Sequence, residues 1–514
     1  MRFLVFSDVH IGGKFNEDMF MKGVEIINST DADFYLFTGD LTDQGTLHEY
    51  KTARDVYLPL IKKPVLYIPG NHDVKNVGDL LWEEFMGPRY FVHEDRDKKV
   101  KILGLDSNEP DKNTGRIGEK GVKRIYSEFE DLDDEWTKVV AFHHQTLPIR
   151  YTGRERSAIA DAGNVIKAIL DVDVDLVVNG HRHISNVYQL SDSDDSTLVV
   201  NCGTMSCKKT RYKEEYSLTI IDFDKEKEMA KVDVVQLNNA NVKYLTRFSG
   251  STNLTVAPER IKGMSLPTAR IIQIGNTEFS DDLYNPTAFA KAVTLINIMD
   301  CDLVVHCGDV TRSSFMHEFE MAQTYLSQIK HEMLIVPGPK DYFPLGYEMY
   351  RKIFGTTNPE LETPSLKVLG VNTCILNESE GRVGRSSRQR IKEAFDGSNK
   401  ISVAAFHHTL IPVPRTKHGA ELQDAGDVLH FLVDLGINLV LTGSKNTAGC
   451  WRVGDTVFSN CGTISSKYIT SSKGNSFNII DIYRLEKEMI ITVSEFLIEN
   501  EMRVEIGRFL IPSP

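Results

Sequence analysis

The sequence lacks several features that would assign the protein to a specialised class. It has no apolar run of membrane-spanning length, and its seven scattered cysteines form no CxxC pair. These absences argue against a disulfide framework and a thiolate zinc site, so we expect free thiols in a reducing compartment. An excess of positive charge is missing as well. The net charge of -13 does not favour DNA, RNA or an anionic membrane as a partner.

The opening segment, MRFLVFSDVH, also lacks the long apolar region and the cleavage site of a signal peptide. It is typical of a short buried strand followed by a polar turn. We therefore expect a cytoplasmic protein that has no contact with a membrane. The 514 residues are 41% hydrophobic and 25% charged, which is an ordinary globular composition, and their number predicts more than one domain.

The sequence does contain extensive self-similarity, because segments of the first half recur in the same order in the second half. The matching pairs are 2–10 with 270–278, 31–42 with 301–311, 65–73 with 333–341, 115–118 with 381–384, 139–144 with 403–408, 161–163 with 424–426, 175–183 with 438–446 and 201–204 with 460–463. Such a collinear series indicates a tandem repeat. We predict domains at 1–248 and 268–514, joined by a linker at 249–267 that is rich in Ser, Gly, Thr and Pro.

Each repeat alternates short apolar runs with longer segments of helical pattern. Runs such as FLVF, FYLF and VVAF are continuously apolar, as strands are when both faces of their sheet are covered. This alternation predicts an α/β fold in which helices cover the sheets.

In the first half, polar side chains that can bind metals follow each apolar run. These side chains are Asp8, His10, Asp40, Asn71, His72, Asp73, His143, His181 and His183. Ligands in α/β sheets gather beyond the carboxyl ends of the strands, so we expect these side chains to converge. A set of oxygen and nitrogen donors without a thiolate suits Mn, Fe, Co, Ni or Zn. The set is too large for one ion and large enough for two ions about 3.5–4 Å apart.

The order DxH, GDxxD, GNHD, H and GHxH resembles the calcineurin-like metallophosphoesterase superfamily, and most of all its class III cyclic-nucleotide phosphodiesterase branch. The resemblance covers about residues 1–235, with every motif filled. It implies that each repeat folds as a four-layer α/β/β/α sandwich, a pair of sheets between layers of helices. The second half resembles the same fold without the full set of motifs.

The resemblance also implies the role of each candidate residue. The first metal would be held by Asp8, His10, Asp40 and His183, and the second by Asp40, Asn71, His143 and His181. His72 would protonate the leaving oxygen, oriented by Asp73. A hydroxide bridging the two metals, with Mn or Fe favoured, would attack phosphorus in line.

Some assignments stay open at this point. His144 could be the ligand in place of its neighbour His143, and Asp43 could support a ligand or cap a turn rather than bind metal. Three arginines follow the HH motif, and they could grip a substrate phosphate or lie on a solvated loop. They are Arg150, Arg154 and Arg156.

The second half has lost most of these side chains. The replacements are Asn276 for Asp8, Glu278 for His10, Pro339 for Asn71, Lys340 for His72, Ser444 for His181 and Asn446 for His183. Among the ligands only Asp309 and His407 survive, with Asp341 also kept. This pattern predicts a catalytically inactive copy that pairs with the first half inside the same chain.

These observations predict a metal-dependent phosphodiesterase that acts on a cyclic nucleotide or another small diester. GNHD favours a diester, because an alkoxide is a poor leaving group that a positioned imidazole can protonate. One alternative is a nuclease for DNA or RNA, which the same centre could support. The other is a scaffold or partner-binding protein in which the metals are structural.

Overall fold

The computed structural model describes residues 1–155, 157–238, 242–256, 266–415, 421–469 and 473–514. The first half contains β1 (Arg2–Phe6), α1 (Glu17–Ser29), β2 (Phe34–Phe37), α2 (Leu47–Thr52), β3 (Val65–Tyr67), α3 (Gly78–Phe85), β4 (Phe91–Asp95), β5 (Val100–Gly104), α4 (Gly118–Phe129), β6 (Thr137–Ala141), α5 (Ala162–Asp171), β7 (Leu176–Asn179), β8 (Asn186–Ser191), β9 (Ser196–Asn201), β10 (Tyr216–Asp224), β11 (Met229–Leu237) and β12 (Val242–Ser251).

The second half contains its helices and strands in the same order as the first. They are β13 (Ala269–Ile274), α6 (Pro286–Ile298), β14 (Leu303–His306), α7 (Met316–Leu326), β15 (Met333–Ile335), α8 (Gly346–Phe354), β16 (Glu360–Glu362), β17 (Leu366–Gly370), α9 (Gly384–Phe395), β18 (Ile401–Ala405), α10 (Ala425–Asp434), β19 (Leu439–Thr442), β20 (Gly449–Val453), β21 (Thr456–Asn460), β22 (Ser476–Arg484), β23 (Glu488–Leu497) and β24 (Met502–Pro512).

Local signals begin corresponding helices in the two halves. The side chain of Asn16 accepts a hydrogen bond from Met19 N at the start of α1, and Asn285 accepts one from Ala288 N at the start of α6. Asparagine is a favoured N-cap because its side-chain oxygen satisfies an amide that the helix leaves unpaired. The same capping residue therefore fixes the first turn in both halves.

Each half has a small mixed sheet with the same strand order. The first is ordered β12-β11-β10-β1-β2-β3, and the second is ordered β24-β23-β22-β13-β14-β15. In both, three parallel strands from the start of the half join an antiparallel set from its end. The carboxyl ends of β1, β2 and β3 consequently lie along one edge.

The remaining strands form one sheet of twelve strands that runs through both halves. Its order is β4-β5-β6-β7-β9-β8 in the first half, followed by β20-β21-β19-β18-β17-β16 in the second. The two sets meet where β8 pairs antiparallel with β20, through Leu190 with Val453 and Ser191 with Arg452. This pairing differs from the expected pair of separate sandwiches. An edge strand leaves backbone amides and carbonyls without hydrogen-bond partners. The pairing of β8 with β20 supplies such partners to the edge strands of both halves.

The apolar side chains define the layers of each half. Phe20 of α1 packs on Phe6 of the small sheet, and Val5 on the opposite face packs on Val139 of the large sheet. A second helical layer, which includes Ile166 of α5, covers the other face of the large sheet. The α/β prediction is therefore confirmed, and the layer order in this half is α/β/β/α.

The predicted linker coincides only partly with the structure. Its first residues, 249–251, are the end of β12, which pairs with β11. Residues 257–265 of the predicted linker lie outside the described residues. In the part of the chain that the structure describes, no helix is both long and apolar enough to cross a bilayer.

The repeated DAG segments contact the opposite half reciprocally. A Cβ added at Gly163 would lie 2.0 Å from the carbonyl oxygen of Val413, and one added at Gly426 would lie 1.9 Å from that of Ile149. Both distances are far below van der Waals contact. Each glycine therefore lets a helix N-terminus approach the backbone of the other half.

Candidate metal centre

The candidate ligands lie at facing edges of the two sheets of the first half. Asp8 and His10 follow β1, Asp40 follows β2, Asn71 follows β3, His143 follows β6, and His181 and His183 follow β7. All of these residues are buried. The structure therefore brings together every side chain that the sequence predicted as a ligand.

Several of these residues have a strained backbone conformation with positive φ, which orients their side chains toward the candidate metal centre. Residues with positive φ are Asp8 (57°), His10 (56°), Asp40 (60°), His181 (73°) and His183 (57°). Such conformations cost about 1–3 kcal/mol each in non-glycine residues and often mark functional sites. Their counterparts in the second half keep the strain at Asn276 (52°), Glu278 (47°), Asp309 (54°) and Asn446 (51°). The strained backbone therefore occurs at corresponding positions of both halves, whether or not the residue there is a candidate ligand.

One donor cluster combines two imidazoles and two carboxylates. His10 Nε2 lies 3.3 Å from His183 Nε2 and 3.4 Å from Asp40 Oδ2. Asp8 Oδ1 lies 3.1 Å from His183 Nε2 and 3.9 Å from His10 Nε2. Separations of about 3–4 Å are typical of donor atoms that share one ion with bonds of about 2.0–2.2 Å.

A second cluster shares Asp40 with the first. His143 Nε2 lies 3.3 Å from Asp40 Oδ2 and 3.2 Å from Asn71 Oδ1. The same Asn71 oxygen lies 2.9 Å from His181 Nδ1. Asp40 is the residue common to both clusters, as the resemblance implies for a bridging carboxylate.

Hydrogen bonds from Nδ1 to backbone carbonyls fix the orientation of two of the candidate histidine ligands. His143 Nδ1 donates to Thr38 O at 2.7 Å, and His183 Nδ1 donates to Lys209 O at 2.6 Å. In the neutral rings, both Nε2 atoms then face carboxylate oxygens with no hydrogen between them. A cation bound between each nitrogen and the oxygen it faces would remove the repulsion between their lone pairs. Backbone carbonyls commonly orient metal-binding histidines in this way.

One donor of the first cluster gives a separate indication of a cation site. Among the described residues, Asp8 Oδ1 is buried and has no hydrogen-bond partner. Buried polar atoms are almost always satisfied, so unpaired ones call for an explanation. This donor set fits divalent metal ions.

The electrostatics of the centre also call for positive charge. Burial lowers the pKa of His143, but the Asp40 carboxylate outweighs burial and raises that pKa to about 9. Burial raises the pKa of Asp40, but His143 and His72 hold it well below its ordinary value. The carboxylates thus retain protons on neighbouring rings when no metal competes, and metal binding would displace those protons.

His72 lies beside this cluster, and its side chain is 17% exposed. Its backbone amide donates to Asp40 Oδ1 at 2.7 Å, and its Nδ1 lies 2.6 Å from Asp43 O. Since a carbonyl can only accept, Nδ1 donates and Nε2 remains free to act on a ligand. Lys75 Nζ lies 3.1 Å from that Nε2.

The expected role of Asp73 needs correction. Its carboxylate accepts hydrogen bonds from the backbone amides of Leu41, Thr42 and Gly70 and from the Thr42 hydroxyl, at 2.8–3.1 Å. Asp341 makes the corresponding bonds in the second half. Asp73 therefore ties two loops together, and the Asp43 carbonyl orients His72.

Two open assignments also receive a geometric answer. His144 Nδ1 lies 2.9 Å from Ser107 Oγ, which fixes the ring in the fold. Its counterpart, His408, makes the same contact with Thr373, which points to a role in the fold. Asp43 lies behind His10, with Oδ1 at 3.4 Å from His10 Nδ1.

Two of the three arginines after the HH motif contact the second half of the chain. Arg150 contacts His430, and Arg154 lies 2.5 Å from Glu380, so both reach the second half of the chain. Arg156 lies outside the described residues.

Other cations surround the metal centre, and the sequence motifs did not single them out. They line a cleft of about 290 Å³ together with the ligands, and they are Lys14, Lys75, Arg182, Lys209 and Arg211. Arg182 lies inside the GHRH motif, which is the signal that could have identified it. This ring of positive charge suits a phosphate group.

Cys207 is a further residue that the motifs missed. Its Sγ lies within 4.8 Å of ring nitrogens of His10 and His183. Comparing the two halves could have identified it, because the corresponding residue of the second half is Ser466.

The comparisons with known proteins agree with this geometry. Residues 1–185 match the family model described as calcineurin-like phosphoesterase. The expected resemblance is thereby confirmed for the segment. A probable glycerophosphodiester phosphodiesterase of Arcobacter nitrofigilis is 32% identical over 124 residues, which is 23% of this chain and 43% of that protein. A probable cyclic nucleotide phosphodiesterase of Ruthia magnifica is 25% identical over 164 residues, which is 31% of this chain and 65% of that protein.

These matches are partial. The chain spans less than two thirds of the length of both relatives. Among solved structures, a purple acid phosphatase from yellow lupin seeds overlaps with a TM-score of 0.38 at 7% identity, covering 64% of this chain and 69% of that one. At that TM-score the overlap supports no conclusion about function.

Proposed function

We propose that the first half is a metal-dependent phosphodiesterase that hydrolyses a small phosphate diester. The observation that carries this proposal is the convergence of buried imidazole and carboxylate donors, 3.1–3.4 Å apart, in two clusters that share Asp40. The cations around the cleft add a means of holding a phosphate. The two curated relatives are named as phosphodiesterases, which favours a diester over a monoester.

The donors divide naturally between two divalent transition-metal ions. Asp8, His10, Asp40 and His183 would hold one, and Asp40, Asn71, His143 and His181 would hold the other. When bound, such a pair supplies Lewis-acid charge and an activated water. Mn or Fe is our favoured pair, since the donors are mainly oxygen and imidazole nitrogen.

The residues of the chain supply the remaining steps. Lys14, Lys75 and Arg211 would bind the non-bridging oxygens of the diester. His72, anchored at Nδ1 by the Asp43 carbonyl, would hold a proton at Nε2 and pass it to the leaving oxygen. Because Lys75 lies against that nitrogen, a bound phosphate would have to draw the Lys75 ammonium away.

The size of the cleft favours a small substrate. A volume of about 290 Å³ holds a phosphodiester with one small group. Cyclic nucleotides and glycerophosphodiesters, which the names of the relatives mention, are the first candidates. A nuclease activity is the second candidate, and the net charge of -13 weighs against it.

We propose further that the second half is a degenerate copy that binds no metal at its corresponding position. There, Lys340 Nζ lies 2.7 Å from Glu278 Oε1 and 2.8 Å from Asp309 Oδ2. Arg312 lies 3.0 Å from the other Glu278 oxygen. These side-chain cations balance the buried carboxylates, so the carboxylates have no need of an ion.

The degenerate copy would act as a built-in structural partner of the catalytic half. The continuous sheet through β8 and β20 supports this role, as do the reciprocal contacts of Gly163 and Gly426. We also propose a cytoplasmic location, in keeping with seven free cysteines.

Metal removal tests the main proposal. The chelated full chain should lose diester hydrolysis and regain it with Mn, binding about two ions per chain. Asp40→Asn should lower the metal content, because Asp40 belongs to both clusters. The matched variant Asp309→Asn should leave the metal content unchanged. Activity should be screened on cyclic nucleotides, dinucleotides, glycerophosphodiesters and oligonucleotides.

Two results of that screen would redirect the proposal. Hydrolysis confined to oligonucleotides would favour the nuclease. Full metal loading with no hydrolysis of any diester would favour a metal-stabilised scaffold or partner-binding protein.

The glycine contacts give a separate prediction about the pairing of the halves. Gly426→Ala should lower the free energy of unfolding by about 1–3 kcal/mol, the usual cost of overpacking, because its Cβ would overlap Ile149 O. Hydrogen exchange at α10 and α5 of the full chain measures this loss, because a chain with more than one structural unit has no single unfolding transition. Gly250→Ala is the control, since its nearest neighbour would be 3.9 Å away. Equal stability of Gly426→Ala and the parent would show that the halves are not pressed together there.

A further inference from the structure

Cys207 is held in a fixed position beside the first metal cluster. Met205 N donates to Ser7 O at 2.9 Å, Thr204 Oγ1 donates to Asp8 O at 2.6 Å, and Ser206 Oγ donates to Val9 O at 2.9 Å. Cys207 N donates in turn to Thr204 Oγ1 at 2.8 Å. The loop that carries the thiol is thus bonded to the loop that carries Asp8 and His10.

This placement brings the thiol to a group of nitrogen donors. Cys207 Sγ and one ring nitrogen each from His10 and His183 all lie within 4.8 Å of one another. The two imidazole Nε2 atoms are 3.3 Å apart, which is about the separation of two nitrogens on one tetrahedral ion at about 2.0–2.1 Å. Sulfur and nitrogen donors together form a common type of zinc site.

An independent observation points to a cation at the same place. Asp8 Oδ1 is buried and, among the described residues, accepts no hydrogen bond. It faces His183 Nε2 at 3.1 Å. A metal ion between them would satisfy this oxygen.

The second half separates the role of the thiol from that of the loop. There, Thr463 Oγ1 donates to Asn276 O, Ser465 Oγ donates to Thr277 O and Ser466 N donates to Thr463 Oγ1, at 2.7–3.0 Å. The loop keeps its bonds although a serine replaces the cysteine. The fold therefore does not require the thiol, and the thiol is absent where the two histidines are also absent.

We infer that Cys207 is an additional ligand, the fifth donor, of the ion held by Asp8, His10, Asp40 and His183. On binding, the thiol releases its proton to solvent and the sulfur lone pair forms the bond to the metal. A thiolate donor shifts this position toward thiophilic ions such as Zn or Co, whereas Mn or Fe is favoured by the oxygen and nitrogen donors alone. The inference rests on the proposed metal binding of the first half and extends it by a soft donor.

Cobalt spectroscopy on the full chain tests the inference without relying on activity. The parent loaded with Co(II) should show an intense near-ultraviolet band from sulfur-to-metal charge transfer. Cys207→Ser should keep the weaker visible bands of bound Co(II) and lose the charge-transfer band. Cys301→Ser, which removes a distant thiol, should keep the band. Ser466→Cys, which adds a thiol at the equivalent place, should not strengthen it.

X-ray absorption of the zinc-loaded parent gives a second readout that needs no variant. A sulfur shell at about 2.3 Å supports the inference, and nitrogen and oxygen neighbours alone at about 2.0–2.2 Å overturn it. A charge-transfer band that persists in Cys207→Ser also overturns it. If the protein hydrolyses diesters with metal but X-ray absorption shows no sulfur neighbour, Cys207 is not a ligand and the proposed phosphodiesterase function still stands.

Discussion

Replacing His72 with alanine is expected to cut the hydrolysis of alkyl phosphodiesters by about 10²–10⁴-fold, the usual contribution of a general acid. Metal content should change little, because His72 is not among the residues assigned to either metal, although one of its ring nitrogens lies within 4.8 Å of donor atoms of His10 and Asp40. The reason is that an alkoxide leaves poorly unless a proton reaches it. Steady-state rates and metal analysis of the same preparation measure both quantities.

The leaving group distinguishes this role from simple phosphate binding. A nitrophenolate departs without help, so a nitrophenyl diester should suffer a much smaller loss in His72→Ala. His48→Ala, which removes an exposed imidazole from α2, serves as the control and should leave both rates unchanged. Equal losses on both substrates would mean that His72 binds the phosphate uniformly instead of donating a proton.

Much of the candidate centre could be predicted because the fold repeats a simple rule. Each apolar run ends in a polar residue, and parallel strands place those ends along one edge. Asp8, Asp40 and His143 could therefore be grouped from sequence alone. The α/β layering followed from the same runs, since strands covered on both faces are continuously apolar.

The contacts that sequence could not supply are those between segments distant in the chain. The pairing of β8 with β20 depends on how two edge strands meet, and neither strand has a sequence feature that names its partner. The sequence predicts that Asp73 orients its neighbour His72. In the structure the Asp73 carboxylate instead accepts hydrogen bonds from three backbone amides. Cys207 reaches the centre only through the bonds of its loop to residues 7–9.

The comparison of the two halves recovers part of this missing information. Asp73 and Asp341 stand at corresponding positions and accept the same hydrogen bonds in the two halves, which points to a role in the fold. A residue kept in the first copy alone is a candidate for chemistry. Lys340 is the reverse case, since it is a charge that only the second copy has.

The strongest effect on stability is expected at Lys340. Its ammonium lies between Glu278, whose side chain is 0% exposed, and Asp309, whose side chain is 5% exposed. Burial lowers the pKa of Lys340, but Asp309 and Glu278 outweigh it and raise that pKa, so the charge is present at neutral pH. Removing one partner of a fully buried ion pair commonly costs about 3–5 kcal/mol, because the other charge stays behind unpaired, and the 29% exposure of the Lys340 side chain reduces that cost.

Lys340→Met should therefore destabilise the second half by about 3 kcal/mol, the lower end of that range, because Arg312 still pairs with Glu278. The full chain has more than one structural unit, so hydrogen exchange at β13 and β14 measures the loss better than a single melting temperature. The double variant Lys340→Met with Glu278→Gln should recover part of the stability, since it removes the carboxylate together with its partner. Metal binding in the first half should stay the same in both variants. If Lys340→Met exchanges as slowly as the parent, the lysine does not balance the buried carboxylates, and the account of how this half folds without an ion fails.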